Sequence, residues 1–324
     1  METVRTLPPG YLDRLAGRLS LDAAQKETVR EQLIQLARIK AERGESVPKA
    51  LATVDRVADA LASHRGERFD PRVARFALSD GFELTCVEPP CGSNVWVLRK
   101  EDALLFVDCG FGYYEEEMCA LMRRLFPGFD GMARALALTH PDWDHCGLMH
   151  WFDEIFVTRD TFTHFQLEAD GLPDFRERNP LQAPYVRMTR IFTRGRLPRM
   201  ETLRPVEGAP DDGSPVCFAG SLDFRGRRLD VYRGNGGHAA GECAFVDEQD
   251  RLVFSGDILL NLEGCIPPQA AYNRLAPYLM SGVNLDPRKA VLERVALKKR
   301  FPPERYRYCC GHGAMLDLRE DGLP

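Results

Sequence analysis

Residues 139–147 read Thr-His-Pro-Asp-Trp-Asp-His-Cys-Gly, so four metal-capable side chains, His140, Asp142, Asp144 and His145, fall inside six positions. A short loop of alternating ligands can place side chains around two cations at once. Three more candidates sit in glycine-rich settings: His238 in Gly-Gly-His-Ala-Ala-Gly, Asp257 in Phe-Ser-Gly-Asp and His312 in Cys-Gly-His-Gly. Four imidazoles and three carboxylates are enough for two divalent ions, and mixed nitrogen and oxygen donors suit zinc or iron, with manganese possible. The chemistry of such a centre is activation of water or of oxygen.

Elements must carry these groups to one place. From about Phe76 the sequence reads as short strands: Phe82–Val87, Val95–Arg99 and Leu104–Val107, then a helix over 114–125. The apolar run Ala135–Leu138 delivers the chain to His140, and Glu154–Val157 reads as the next strand. Strand-like segments at Val216–Phe218, Ser221–Phe224, Arg228–Tyr232, Ala244–Asp247 and Leu252–Ser255 bracket His238 and Asp257. A helix over Pro287–Arg300 and a strand over Tyr306–Cys309 lead to His312. Ligands at strand ends are held more rigidly than ligands within long loops.

Residues 10–66 read as helical. Ser20 is the expected cap of a helix to about Glu42, with Val29, Leu33 and Leu36 on one stripe, and Gly44 closing it. Ser46 is the expected cap of the next, whose apolar face is Leu51, Val54, Val57, Ala58 and Leu61, with Gly66 ending it. These helices carry no catalytic cluster, so they are expected to pack on the main body or to form a homodimer. The domain division is 1–72, a helical region, and 73–324, the chemistry-bearing domain, with an arginine-rich insert at 158–205.

The chain has 324 residues, 44% of them hydrophobic and 28% charged, with a net charge of −5. That composition fits a soluble globular protein and opposes a general nucleic-acid binder. No apolar run approaches the roughly 20 residues of a membrane span, and the N-terminus lacks a signal-peptide core, so a cytoplasmic location is expected. The ten cysteines include no Cys-x-x-Cys pair and read as buried thiols.

In this order the motifs resemble the metallo-β-lactamase superfamily: Asp108-Cys109-Gly110 after a strand, the His140–His145 loop, Gly-His-x-x-Gly at His238, Ser-Gly-Asp at Asp257 and Gly-His-Gly at His312. The resemblance covers about residues 76–315. It implies an α+β fold, a four-layer αβ/βα sandwich with the metals at one edge between two mixed sheets, here with an N-terminal helical appendage. It also implies a first site of His140, Asp142 and His238, a second of Asp144, His145 and His312, and Asp257 bridging them. Asp108 is expected to support the ligands. The usual pattern, His-x-His-x-Asp-His, is altered here: Asp142 replaces the second histidine. Flavodiiron proteins of the superfamily carry a glutamate there and hold iron, but their flavin-binding domain has no counterpart in this sequence.

An extra carboxylate hardens the site and shifts it towards iron or manganese. The resemblance implies a metal-dependent hydrolase in which two metal ions activate hydroxide, with Asp144 and Asp257 as catalytic groups. The substrate is expected to be a small, anionic ester, thioester, lactone or phosphodiester. The alternative is a diiron redox protein handling oxygen or nitric oxide. Seven arginines lie between Leu172 and Met200, and Arg187, Arg190 and Arg194 are the candidates for gripping an anionic substrate.

Overall fold

The computed structural model describes residues 7–206, 208 and 212–318. It opens with three helices, α1 (Tyr11–Leu19), α2 (Ala23–Glu42) and α3 (Val47–Ser63). Asp22, not Ser20, caps α2: its carboxylate accepts from the Gln25 backbone N–H at 2.9 Å, and its own N–H donates to the Gln25 side chain at 3.1 Å. This reciprocal pair needs a three-residue spacing that Ser20 does not have. Ser20 instead closes α1 in a left-handed conformation, with φ of 57°. Ser46 caps α3 as the sequence indicates.

Two sheets follow. The first runs in the order β1 (Arg72–Ala77), β2 (Glu83–Glu88), β3 (Val95–Lys100), β4 (Ala103–Val107), β5 (Ala133–Ala137), β6 (Ile155–Val157), β7 (Leu203–Pro205). Its first four strands are antiparallel meanders and its last four are parallel. The parallel crossovers hold α4 (Glu115–Leu125), α5 (Trp143–Cys146), α6 (Arg159–Ala169) and α7 (Ala183–Phe192). The second sheet contains β8 (Val216–Phe224), β9 (Arg227–Gly234), β10 (Cys243–Asp247), β11 (Leu252–Gly256) and β12 (Arg307–Cys310), in the order β12-β11-β10-β9-β8. Between β11 and β12 lie α8 (Pro267–Asn273), α9 (Ala276–Leu279) and α10 (Pro287–Arg300). The two segments read separately at 216–218 and 221–224 form one strand, continuous across a bulge between Phe218 and Gly220.

The layers follow from alternation along the strands. In β4, Leu105 and Val107 join Trp96, Phe245 and Phe254 in the core between the sheets, while Leu104 and Phe106 face the helices on the other side. The outer face of the second sheet is covered by α10 through Leu297 and the following Phe301. The result is a four-layer αβ/βα sandwich with helices outside.

The N-terminal helices join this body through the same core cluster that contains Phe111, Tyr185 and Tyr272. Their stripe of Val29, Leu33 and Leu36, a candidate surface for a second copy, is buried within the chain. Helix α2 packs on α7, and α3 packs on α8 and α9. The fully buried Lys40 donates to the Tyr278 carbonyl at 2.6 Å, which ties α2 to α9, and pairs with Glu45 at 2.9 Å. Among the described residues no helix is long and apolar enough to cross a membrane.

Candidate metal centre

Strands β4, β5, β9, β11 and β12 all point their C-terminal ends at one edge of the sandwich. Asp108 follows β4, the loop His140–His145 follows β5, and His238 follows β9. Asp257 directly follows β11, and His312 lies two residues past β12. All seven residues singled out as ligands meet at this edge. Their donor atoms form two adjacent groups. In the first, Asp142 Oδ2 lies 3.6 Å from His140 Nε2 and 3.2 Å from His238 Nε2, and Asp257 Oδ2 lies 3.4 Å from His238 Nε2. In the second, Asp144 Oδ2 lies 3.8 Å from His145 Nε2 and 3.3 Å from His312 Nε2, and Asp257 Oδ1 lies 3.3 and 3.6 Å from the same two nitrogens.

Most of these separations are too long for good hydrogen bonds. They match the edges of a tetrahedron whose ligands stand at about 2.0–2.2 Å from a central ion, roughly 3.3–3.6 Å. The fit also shows in what is left unpaired: His140 Nε2, His145 Nε2 and Asp257 Oδ1 are buried without a hydrogen-bond partner. Buried polar atoms without partners are costly, and a cation in each group would satisfy all three. Asp257 offers one oxygen to each group, the arrangement of a bridging carboxylate.

Each imidazole is oriented from behind, through its other nitrogen. His145 Nδ1 is 2.7 Å from Asp108, His140 Nδ1 is 3.0 Å from the Thr139 hydroxyl, His238 Nδ1 is 3.0 Å from Asn284 Oδ1, and His312 Nδ1 is 3.2 Å from the Asn273 amide. Asp108 also accepts from the Thr139 backbone N–H at 2.9 Å and from the Thr139 hydroxyl at 2.8 Å. One carboxylate thus steers two histidines, and all four Nε2 atoms face the centre. Asp108 takes a left-handed conformation to do this, with φ of 59°. Asn273 and Asn284 had no motif to reveal them.

Electrostatics favour charged carboxylates here. Burial opposes ionisation of Asp142, but Arg176 and the neighbouring histidines outweigh it and hold its carboxyl well below the usual range. For Asp257, burial is likewise outweighed by His312, His145 and His238. Burial and the neighbouring His145 push the His140 imidazole down, leaving its nitrogen free to bind a cation.

The model of the metallo-β-lactamase superfamily matches residues 89–312, more than half of the chain. The chain belongs to that superfamily. No curated protein sequence matches it. Among solved structures, a metallo-beta-lactamase from Pontibacter korlensis is 15% identical, with 76% of this chain and 94% of that one covered at a TM-score of 0.47. A metallo-beta-lactamase family protein from Thermus thermophilus is 20% identical, with 74% and 76% covered at 0.46. The apo chemotaxis sensor ODP from T. denticola is 12% identical, with 76% and 89% covered at 0.45.

In this superfamily member a cavity of about 180 Å³ opens onto the ligand cluster. Its floor is Asp142, Asp144, His238, Asp257 and His312. Its walls are mostly apolar: Trp143, Tyr185 and Val186 on one side, and Tyr272, Ala276, Pro277 and Met280 on another. Helices α7, α8 and α9 supply most of these walls, and the N-terminal helices back them.

The arginines expected to grip substrate are turned elsewhere. Arg187 pairs with Glu177 at 3.1 Å, Arg190 lies over the Trp143 ring and 3.8 Å from Glu168, and Arg194 lies over the Tyr113 ring. None of the three lines the cavity. Each is instead committed to an acidic or aromatic partner outside the set of ligands, which charge and spacing along the chain do not reveal. The insert contributes Arg176 instead. It is 3% exposed, lines the cavity and donates Nε–H and Nη2–H in a fork to both oxygens of Asp142. The segment carrying it is anchored by Asp174, which accepts from the Glu177 N–H at 2.8 Å and faces His164 and Glu168 in a buried cluster.

Proposed function

We propose that this protein is a hydrolase using a two-metal centre on a carboxylic ester, thioester or lactone. The observation that carries the reading is the division of seven side chains into two donor groups sharing Asp257, at separations suited to metal ions. The first ion would be held by His140, Asp142, His238 and Asp257, and the second by Asp144, His145, His312 and Asp257. Two divalent ions bound there would supply hydroxide near neutral pH and polarise the substrate oxygen.

The chain's own residues do the rest. Asp108, Thr139 and Asn284 offer oxygen acceptors to the Nδ1 atoms of His145, His140 and His238, which favours the tautomer that presents Nε2, and the Asn273 amide holds the His312 ring in place. Asp144 and Asp257, bordering the cavity, accept hydrogen bonds and orient water there. The apolar walls exclude bulk water and favour an acyl group over a highly charged substrate. The cationic side chain at the cavity, Arg176, is already committed to Asp142, which weighs against the anionic substrate and the phosphodiester.

The test is a panel of esters, thioesters, lactones and phosphodiesters presented to protein reloaded with zinc, manganese or iron. Hydrolysis of the acyl compounds, lost on chelation and regained on reloading, is expected. Two tightly bound ions with no cleavage of any class overturn the reading. A diiron redox role is the second reading, favoured by the oxygen donor Asp142 in the first group. About two iron ions per chain after anaerobic purification, with an optical change in air, would select it.

A further inference from the structure

We infer that Arg176 and Asp142 act as one unit in the metal centre, a carboxylate ligand whose excess charge is cancelled by a fixed guanidinium, so that together they present what a neutral imidazole would. The inference rests on the metal-centre reading and concerns how this chain tolerates an aspartate at that position.

The geometry gives four of the five N–H donors of Arg176 an oxygen acceptor. Nε–H and one Nη2–H go to the two oxygens of Asp142. The other Nη2–H lies 3.1 Å from His238 Nε2, whose one lone pair would go to an ion held by the first group rather than to this N–H. Nη1 donates to the Val283 carbonyl at 2.7 Å and approaches Gln182 Oε1 at 3.4 Å. Gln182 is itself tied down, donating to the Gly282 carbonyl at 3.0 Å. The guanidinium is therefore held from both sides, by the chain entering α7 and by the loop before α10. An arginine held this way is not a free anion clamp. A planar fork on a carboxylate also fixes the rotation of that carboxylate, which a point charge would not do.

The charge balance follows. Asp142, Asp144 and Asp257 bring three negative charges against four positive ones from two divalent ions. Arg176 restores the one charge that Asp142 removes. A centre with imidazole in place of the Asp142–Arg176 unit has the same net charge. The hardening that an extra carboxylate would impose, and the tilt towards iron or manganese it implies, is largely offset. Asp142 Oδ2 lies 3.2 Å from His238 Nε2, close enough for the two atoms to share a cation or a proton.

This predicts that ligand type and counter-charge cannot be exchanged separately. Asp142→His leaves a buried guanidinium unpaired beside an incoming cation, and ion binding to the first group should weaken about tenfold or more. Asp142→His combined with Arg176→Met removes the surplus charge and should bring affinity back to within about threefold of the parent. Asp142→His combined with Arg176→Lys leaves similar room but keeps the charge, so it should stay weak. The experiment is titration of zinc and of cobalt into chelator-stripped full-length protein, read by ions bound per chain, by chelator competition and by the cobalt visible spectrum. Thermal unfolding of each variant without metal shows that it is folded.

Recovery with methionine but not with lysine supports the unit, as does a single Asp142→His variant that unfolds while the methionine double variant folds and binds two ions. Full binding by Asp142→His alone overturns it, as does failure of the methionine variant to outperform the lysine one. If the parent protein itself binds fewer than two ions, the fault lies in the metal-centre reading.

Discussion

Asp108 is the residue on which the centre's order turns, and Asp108→Asn is the perturbation that exposes it. The carboxylate is 2% exposed and accepts from three donors: the Thr139 N–H at 2.9 Å, the Thr139 hydroxyl at 2.8 Å and His145 Nδ1 at 2.7 Å. Asparagine matches its shape but brings one acceptor oxygen and one NH2. If the oxygen stays with the Thr139 N–H, the NH2 faces His145 Nδ1. That nitrogen must then accept, so the proton moves to Nε2, which points at Asp144 and Asp257. A protonated Nε2 cannot bind a metal ion. Loss of one orienting partner behind a ligating histidine typically costs 10–100-fold in affinity. At about 1.4 kcal/mol per tenfold, that is about 1.4–2.8 kcal/mol, concentrated in the second group. Chelator competition on stripped protein measures it: the tighter-binding pair should split into one ion of near-parental affinity and one weakened ion. Equal affinities for the variant and the parent would refute the argument that Asp108 sets the tautomer.

Three further outcomes follow from the same structure. A methyl group at position 311 would sit 2.5 Å from Asp257 Oδ1, so Gly311→Ala should displace the bridging carboxylate and weaken binding of both ions by about tenfold, seen as lost metal after dialysis. The Glu242 carboxyl is raised to about 8 by burial and by Glu293, against the pull of His238. Because the folded state keeps that proton where the unfolded chain has lost it, metal-free protein should lose stability as pH rises from about 4.5 to about 8, and Glu242→Gln should flatten that slope in urea unfolding at about pH 5 and pH 9. Leu33, fully buried on α2, lies in the layer behind the cavity wall, so Leu33→Ala should cost about 2–5 kcal/mol in unfolding experiments and raise KM more than it lowers kcat once a substrate is found.

The local features of this chain were legible wherever side-chain chemistry and backbone period agree. Strands β2 to β6 follow runs of apolar residues, and the metal loop begins where the run Ala135–Leu138 stops. Ser46 caps α3 because a hydroxyl at that spacing reaches a free N–H. Errors arose where two local signals competed. Ser20 and Asp22 are both good caps, and only Gln25, three residues after Asp22, completes a reciprocal pair. The bulge in β8 looked like a strand end because Gly220 interrupts the apolar alternation.

Sequence alone supplied the list of seven candidate ligands and the elements that end beside them, because residue type and strand periodicity are local properties. Only the tertiary structure decided which arginine matters. Arg176, Arg187, Arg190 and Arg194 share one charge and one stretch of chain, but a guanidinium's role depends on what lies within about 3 Å of it. For Arg176 those neighbours are Asp142, His238 and Val283, from segments that are 34, 62 and 107 residues away in the chain. The packing of α2 and α3 behind the cavity walls was likewise open, since an amphipathic stripe specifies that a face must be buried and leaves its partner to the fold.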